Sequence, residues 1–306
     1  MLLGDAGARR AGFTCIVAHR VHDTWSGDSI DMATITAIVP TTTATDLWGI
    51  VLTRPCEGRA WPFRESVSVD RAIGRASELI AARRLIAISP PGTRTVAAGQ
   101  IDVHRVDQPA YRGSAARVFL PLLMIARRDP GAIVAVFPAT GTAHYGPSFM
   151  SAVGRAATGI ARRRDVVLVM GAATPFPPHR GWIEPGESIA GIEHLGVRAV
   201  RRFVRRSRHF PMLRRPGPDG VVNTGVVVAD AHALLALGRR RLPDIIDAVA
   251  QLETALGDPN DCPLSEALYA RMPYADLSQA LSAADDAVGV VPVRRERARL
   301  TRAASA

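Results

Sequence analysis

The feature that most constrains the fold is an alternation between two kinds of segment. Short runs of uninterrupted apolar residues take turns with stretches whose apolar positions recur at helical spacing. Leu47 to Leu52 is the first such run; a turn-rich stretch follows, and Ile73, Ala76, Leu79 and Ile80 then fall at helical spacing within 69–83. Leu85 to Ser89 and Ile101 to Val106 read as further strands. The next helix covers 115–127 and is stopped by Asp129-Pro130-Gly131, and 133–137 reads as a buried strand. A helix over 148–163 and an apolar strand over 166–170 continue the series. Runs that are apolar throughout are buried on both faces, and strands separated by helices are joined by crossovers. The pattern therefore predicts an α/β fold built on a mixed, mostly parallel sheet flanked by helices. In open sheets of this kind ligands bind beyond the carboxyl ends of the strands, which points to the segments after Leu52, Val106 and Phe137.

After Gly181 the texture becomes richer in strands, over 197–204 and 221–228, before helices over 231–237, 245–256 and 264–272 and a last strand over 288–293. Residues 1–45 show no sustained period and end in a threonine run, so a poorly ordered N-terminal extension is expected there, with Met32 an alternative start. One domain is expected over 46–295 and a charged C-terminal tail over 296–306. A chain of 306 residues, 47% apolar, is ample for a buried core. Three cysteines, far apart and in no metal-binding spacing, argue against a disulfide framework or structural zinc and for a reducing cytoplasm. No apolar run approaches the ~20 residues that span a bilayer, and the N-terminus lacks a signal-peptide core, so no membrane association is expected.

The formal charge is +10, and all 38 basic residues are arginine. Eight of them crowd into 198–215, which would suit a polyanion. Aromatic residues are sparse among them and no nucleic-acid motif is present, so a solvated basic face explains the stretch better and nucleic-acid binding ranks last. His19 and His22 have a metal-like spacing but no carboxylate to complete a site, and the chain carries neither a Gly-x-Ser-x-Gly elbow nor a His-Glu-x-x-His pair.

Several segments, taken in order, carry more information than any one alone. They are Trp48-Gly-Ile-Val-Leu52, Gln108-Pro-Ala-Tyr-Arg-Gly-Ser-Ala115, the run from Arg127 to Pro138, Gly181-Trp-Ile-Glu-Pro-Gly186, Val200-Arg-Arg-Phe203, Asn223-Thr224 and Ala267-Leu-Tyr-Ala-Arg-Met-Pro273. Collinear over 46–293, they resemble the mannose-1-phosphate guanylyltransferases of the sugar nucleotidyltransferase family. The resemblance implies a Rossmann-like nucleotidyltransferase fold and a reaction of GTP with mannose 1-phosphate to give GDP-mannose and pyrophosphate. It implies nucleotide contacts at Gly58, Arg59, Gln108, Pro109 and Gly113, and sugar contacts at Gly181, Glu184, Asn223 and Thr224.

Joining two polyanions calls for a metal on carboxylates, cations on phosphates and a glycine-rich loop with its N–H groups free. Here the sequence departs from the family. The phosphate loop reads Thr53-Arg-Pro-Cys-Glu-Gly-Arg59, in which Pro55 has no N–H and Glu57 adds negative charge. The family's magnesium aspartate is replaced within Pro138-Ala-Thr-Gly141, and its second aspartate has no counterpart, so no metal ligand is assigned and Mg2+ is expected only if the protein is active. The family's Glu-Lys-Pro, whose lysine contacts the sugar phosphate, becomes Arg205-Arg206-Ser207, so the resemblance leaves Arg206 in the lysine's place and, with Arg59, as what remains of the catalytic set. The expected partners are a nucleotide or nucleotide sugar (GTP, GDP-mannose) and a sugar 1-phosphate. Three functions follow in order: an impaired guanylyltransferase, a non-catalytic nucleotide-sugar-binding regulator, and a polyanion binder acting through arginine. The oligomeric state is not legible.

Overall fold

The computed structural model describes residues 47–52, 69–89, 103–108, 110–138, 146–172, 181–204, 217–255, 262–281 and 287–293. The expected N-terminal extension and charged tail lie outside these residues. A nine-stranded sheet forms the middle of the molecule. Its first half alternates as the sequence predicts: β1 (Leu47–Leu52), α1 (Val69–Ser77), β2 (Leu85–Ser89), β3 (His104–Asp107), α2 (Gly113–Arg128), β4 (Ile133–Pro138), α3 (Pro147–Arg162) and β5 (Val167–Ala172). The second half comprises β6 (Trp182–Ser188), β7 (Arg198–Val204), β8 (Val221–Asp230), α4 (Ala231–Arg241), α5 (Pro243–Ala255), α6 (Cys262–Arg271), α7 (Leu277–Leu281) and β9 (Val288–Val293).

Strands lie in the order β3-β2-β1-β4-β8-β5-β9-β7-β6. β1 pairs in parallel with β2 and with β4, and β2 with β3, as does β5 with β9. The pairings β4–β8, β5–β8, β6–β7, β6–β8 and β7–β9 are antiparallel. The expectation of a mostly parallel sheet therefore holds for the first half only. Among the described residues no α-helix separates β6, β7 and β8, and β6 pairs antiparallel with both of the others. The first residues of β8 pair with β6 while its later ones pair with β4, so β8, β5, β9, β7 and β6 close on one another in a ring.

Every residue of β1, β4 and β5 is buried, the outcome their unbroken apolar runs dictate. Alternation sends Ile50, Val134, Val136, Val167 and Val169 to the face covered by α2, α4, α5 and α7. Leu47, Val51, Ala135, Phe137 and Leu168 go to the other, against α1 and α3. One pin ties an interior strand to a helix end. The Trp48 indole N–H donates to Asp129 Oδ2 at 2.8 Å across 81 positions, and Arg84 and Arg128 lie 5.5 and 5.8 Å from the Trp48 ring centre. Two of the segments that carry the family resemblance thus meet in a structural contact.

Candidate functional site

A cavity of about 380 Å³ opens beyond the carboxyl ends of β1 and β4, the edge to which the sequence pattern points. Leu52 and Pro138, the last residues of those two strands, form part of its wall. Four strands of the ring contribute Val169, Trp182, Phe203, Val204, Asn223 and Gly225, and α7 contributes Leu277 and Leu281. The polar lining is Ser114, Asn223, Asp276 and Ser278, so the one ionisable group among the described lining residues is the Asp276 carboxylate.

The corner made by Ser114 and Asp276 depends on Gly113. Its φ is +86°, a backbone angle that L side chains rarely adopt, and a Cβ there would stand 2.1 Å from the Ala275 carbonyl oxygen. The bare α-carbon lets the α6–α7 connection dock on the start of α2, where Ala115 N–H donates to Ala275 O at 3.0 Å. Asp276 Oδ1 accepts from both the N–H (3.1 Å) and the hydroxyl (2.9 Å) of Ser114, while Leu277 N–H donates to Ser114 Oγ at 3.0 Å. Each helix thus supplies the cap of the other. The Gln279 side chain accepts from Asp276 N–H at 2.9 Å, completing the acceptor half of a capping box.

On the opposite wall β8 is kinked. The β5–β8 register shifts between Val169 and Gly171, and Gly225 has φ +76°. Thr224 is buried at this irregularity; its hydroxyl donates to Met170 O at 2.7 Å and accepts from Val226 N–H at 3.2 Å. Asn223 Oδ1 accepts from Gly225 N–H at 2.8 Å, which fixes the side chain in an Asx-type turn. Asn223 N–H in turn donates to Gly181 O at 3.0 Å, so the two segments that the resemblance assigns to sugar binding lie side by side.

The remaining expected residues divide clearly. Glu184 does not line the cavity. Its Oε2 accepts from Arg202 Nη2 at 2.9 Å and Nε at 3.2 Å, and Arg201 approaches Oε1 at 3.5 Å. Gln108, expected on the base, is buried and donates to the Tyr269 hydroxyl. Arg112 beside it donates to the carbonyls of Tyr269 (3.0 Å) and Ala270 (2.6 Å). Burial pushes the Tyr269 phenol well above its ordinary range, and burial likewise lowers the Arg117 guanidinium, which donates to Ile88 O at 3.1 Å. Gly58, Arg59, Pro109 and Arg206 lie outside the described residues, as do Ala139, Thr140 and Gly141. Asp276 and Ser114 are the site residues that sequence reasoning passes over. The Asp-Leu-Ser-Gln pattern of a helix start marks the former as a cap but not as cavity lining.

No family model matches the sequence, and no curated protein matches it. Solved structures do. Over 81% of this chain and 74% of the other, it superposes with a TM-score of 0.62 at 19% identity on a protein of Thermus thermophilus described as mannose-1-phosphate geranyltransferase. A Helicobacter pylori protein described as mannose-6-phosphate isomerase matches over 81% of this chain and 97% of its own, with a TM-score of 0.55 and 13% identity. The chain shares their fold. Identities this low carry the architecture and leave chemistry to be read from the side chains.

A magnesium ion asks for several oxygen ligands, some of them charged. Among the described residues no three His, Cys, Asp or Glu side chains come together, and the cavity offers one carboxylate with one oxygen already accepting two hydrogen bonds. These residues do not fit such an ion.

Proposed function

We propose that the protein is a nucleotidyltransferase-type sugar-nucleotide binder, with GDP-mannose as its ligand and slow or absent formation of that ligand from GTP and mannose 1-phosphate. The observation that carries this reading is the cavity beyond β1 and β4, where Trp182 and Asn223, from two segments resembling the family's sugar-binding parts, line one wall. The fold match supports it, since both superposed proteins carry a mannose phosphate in their names. Slow turnover follows from the sequence. Removing one electrostatic catalytic group commonly costs about 10²- to 10³-fold in rate, and Pro55, Glu57 and Thr140 replace several such groups at once.

The test is to incubate the protein with GTP, mannose 1-phosphate and magnesium while following pyrophosphate, and to measure the thermal midpoint with GDP-mannose in parallel. A raised midpoint with little pyrophosphate is expected. Turnover at ordinary enzyme rates would show the phosphate chemistry to be intact, and the absence of any shift would remove the binding reading. Among the described residues no helix is long and apolar enough to cross a membrane.

A further inference from the structure

Two polar groups of the cavity keep unused hydrogen-bonding capacity, and they are complementary. Asp276 Oδ1 is engaged by Ser114, but Oδ2 has no hydrogen bond among the described residues. Asn223 Oδ1 is engaged by Gly225, leaving its amide NH₂ without one among the same residues. One is an acceptor only and the other a donor only. Both line a cavity whose other walls are largely apolar and include the aromatic rings of Trp182 and Phe203. No arginine stands among its described lining residues, in a chain with 38 of them.

We infer that Asp276 is the specificity-determining acceptor of this cavity, and that the group it admits is a neutral, polyhydroxylated ring rather than a phosphate. This rests on the sugar-nucleotide reading above and assigns the sugar its place. A polyhydroxylated ring both donates and accepts, so different hydroxyls of one ring serve Asp276 Oδ2 on one wall and Asn223 Nδ2 on the other, while the ring's C–H faces suit the apolar walls. A phosphate would bring negative charge to a carboxylate with no cation beside it among the described lining residues, an unfavourable approach. A purine edge gains from a carboxylate when both oxygens are free for parallel N–H contacts, and here Oδ1 is already committed. Glu184, the carboxylate expected in this role, is held by Arg201 and Arg202 outside the cavity wall.

Asp276→Asn separates this role from the capping role, because the amide oxygen still accepts from Ser114 while the second position changes from acceptor to donor. The experiment titrates the full-length wild type and D276N with GDP-mannose and with GDP, and records thermal unfolding of both proteins. Expected for D276N is an unchanged melting temperature, a roughly ten- to hundredfold weaker GDP-mannose affinity, in the range for a lost hydrogen bond to a charged group, and an unchanged GDP affinity. Free D-mannose competes with GDP-mannose for the wild type and inorganic phosphate does not. Equal GDP-mannose affinities for the two proteins would overturn the inference, as would parallel losses for GDP and GDP-mannose. Failure of the wild type to bind GDP-mannose at all would instead overturn the function proposed above, which makes the two failures distinguishable.

Discussion

Replacing Gly113 with alanine probes the junction on which the cavity's polar corner depends. The magnitude follows from the geometry. Gly113 has φ +86°, a conformation costing an L-residue roughly 1–2 kcal/mol. The new Cβ would also stand 2.1 Å from the oxygen and 2.7 Å from the carbon of the Ala275 carbonyl, so that backbone must retreat. Its retreat loosens two hydrogen bonds, Ala115 N–H to Ala275 O and Ala275 N–H to Arg112 O, each contributing about 1 kcal/mol net. The expected loss is therefore about 3–4 kcal/mol. Urea unfolding followed by circular dichroism measures it, with Gly74→Ala as the control. Gly74 sits inside α1, a Cβ there would meet nothing within 4 Å, and alanine should stabilise the helix by about 0.5–1 kcal/mol. If G113A costs less than about 1 kcal/mol while G74A behaves as expected, the docking of the α6–α7 connection on α2 is wrong. The same variant should displace Asp276, so weakened ligand binding in G113A would follow from position and would not show that Gly113 touches the ligand.

Other substitutions read other parts of the structure. Ser114→Ala removes the hydroxyl that donates to Asp276 and accepts from Leu277 N–H, while Asp276 still caps the Ser114 N–H, and should cost about 1–2 kcal/mol in the same unfolding assay. Thr224→Val leaves the Met170 carbonyl at the β-bulge unpaired and should cost about 1–3 kcal/mol. The Tyr269 phenol, raised by burial, stays neutral in the folded chain while the unfolded chain ionises near pH 10. Its contribution is thus fully present below pH 10 and is lost above it at about 1.4 kcal/mol per pH unit. Unfolding at about pH 9 and pH 11 should show this decline. Tyr269→Phe should remove that part of it while costing about 1–2 kcal/mol at neutral pH through the stranded Gln108 amide.

How far the sequence reaches can be traced through particular elements. β1, β4 and β5 announce themselves because a strand buried on both faces must be apolar throughout, and helices between them spell out the crossovers. Strand direction in the second half leaves no such local trace. β6 is especially opaque, since Trp182-Ile-Glu-Pro-Gly-Glu-Ser188 has no clean alternation and its register with β7 shifts at Pro185. α1 stops at Ser77 although the apolar spacing runs on through Leu79 and Ile80, because those two residues pack from a turn.

At the site, motif reading reaches Asn223 and the segment holding Trp182 but not the partners that complete the wall. Ser114 and Asp276 are 162 positions apart, and what joins them is the meeting of two helix ends, a property of the packed chain. Gln108 and Glu184 show the converse. Each carries a side chain able to bind a ligand, and each is engaged inside the protein, Gln108 through its amide nitrogen on Tyr269 and Glu184 through both oxygens on two arginines. Local chemistry identifies what a side chain can do, and tertiary competition decides what it does.

The central claim, that the cavity beyond β1 and β4 serves a sugar nucleotide, is tested most directly by titrating GDP-mannose into the wild-type protein in a calorimeter. The account predicts saturable binding of one molecule per chain, with a matching stabilisation of about 2.7 kcal/mol once the ligand reaches about a hundred times its Kd. No heat of binding, and no stabilisation by GDP-mannose at any attainable concentration, would contradict it.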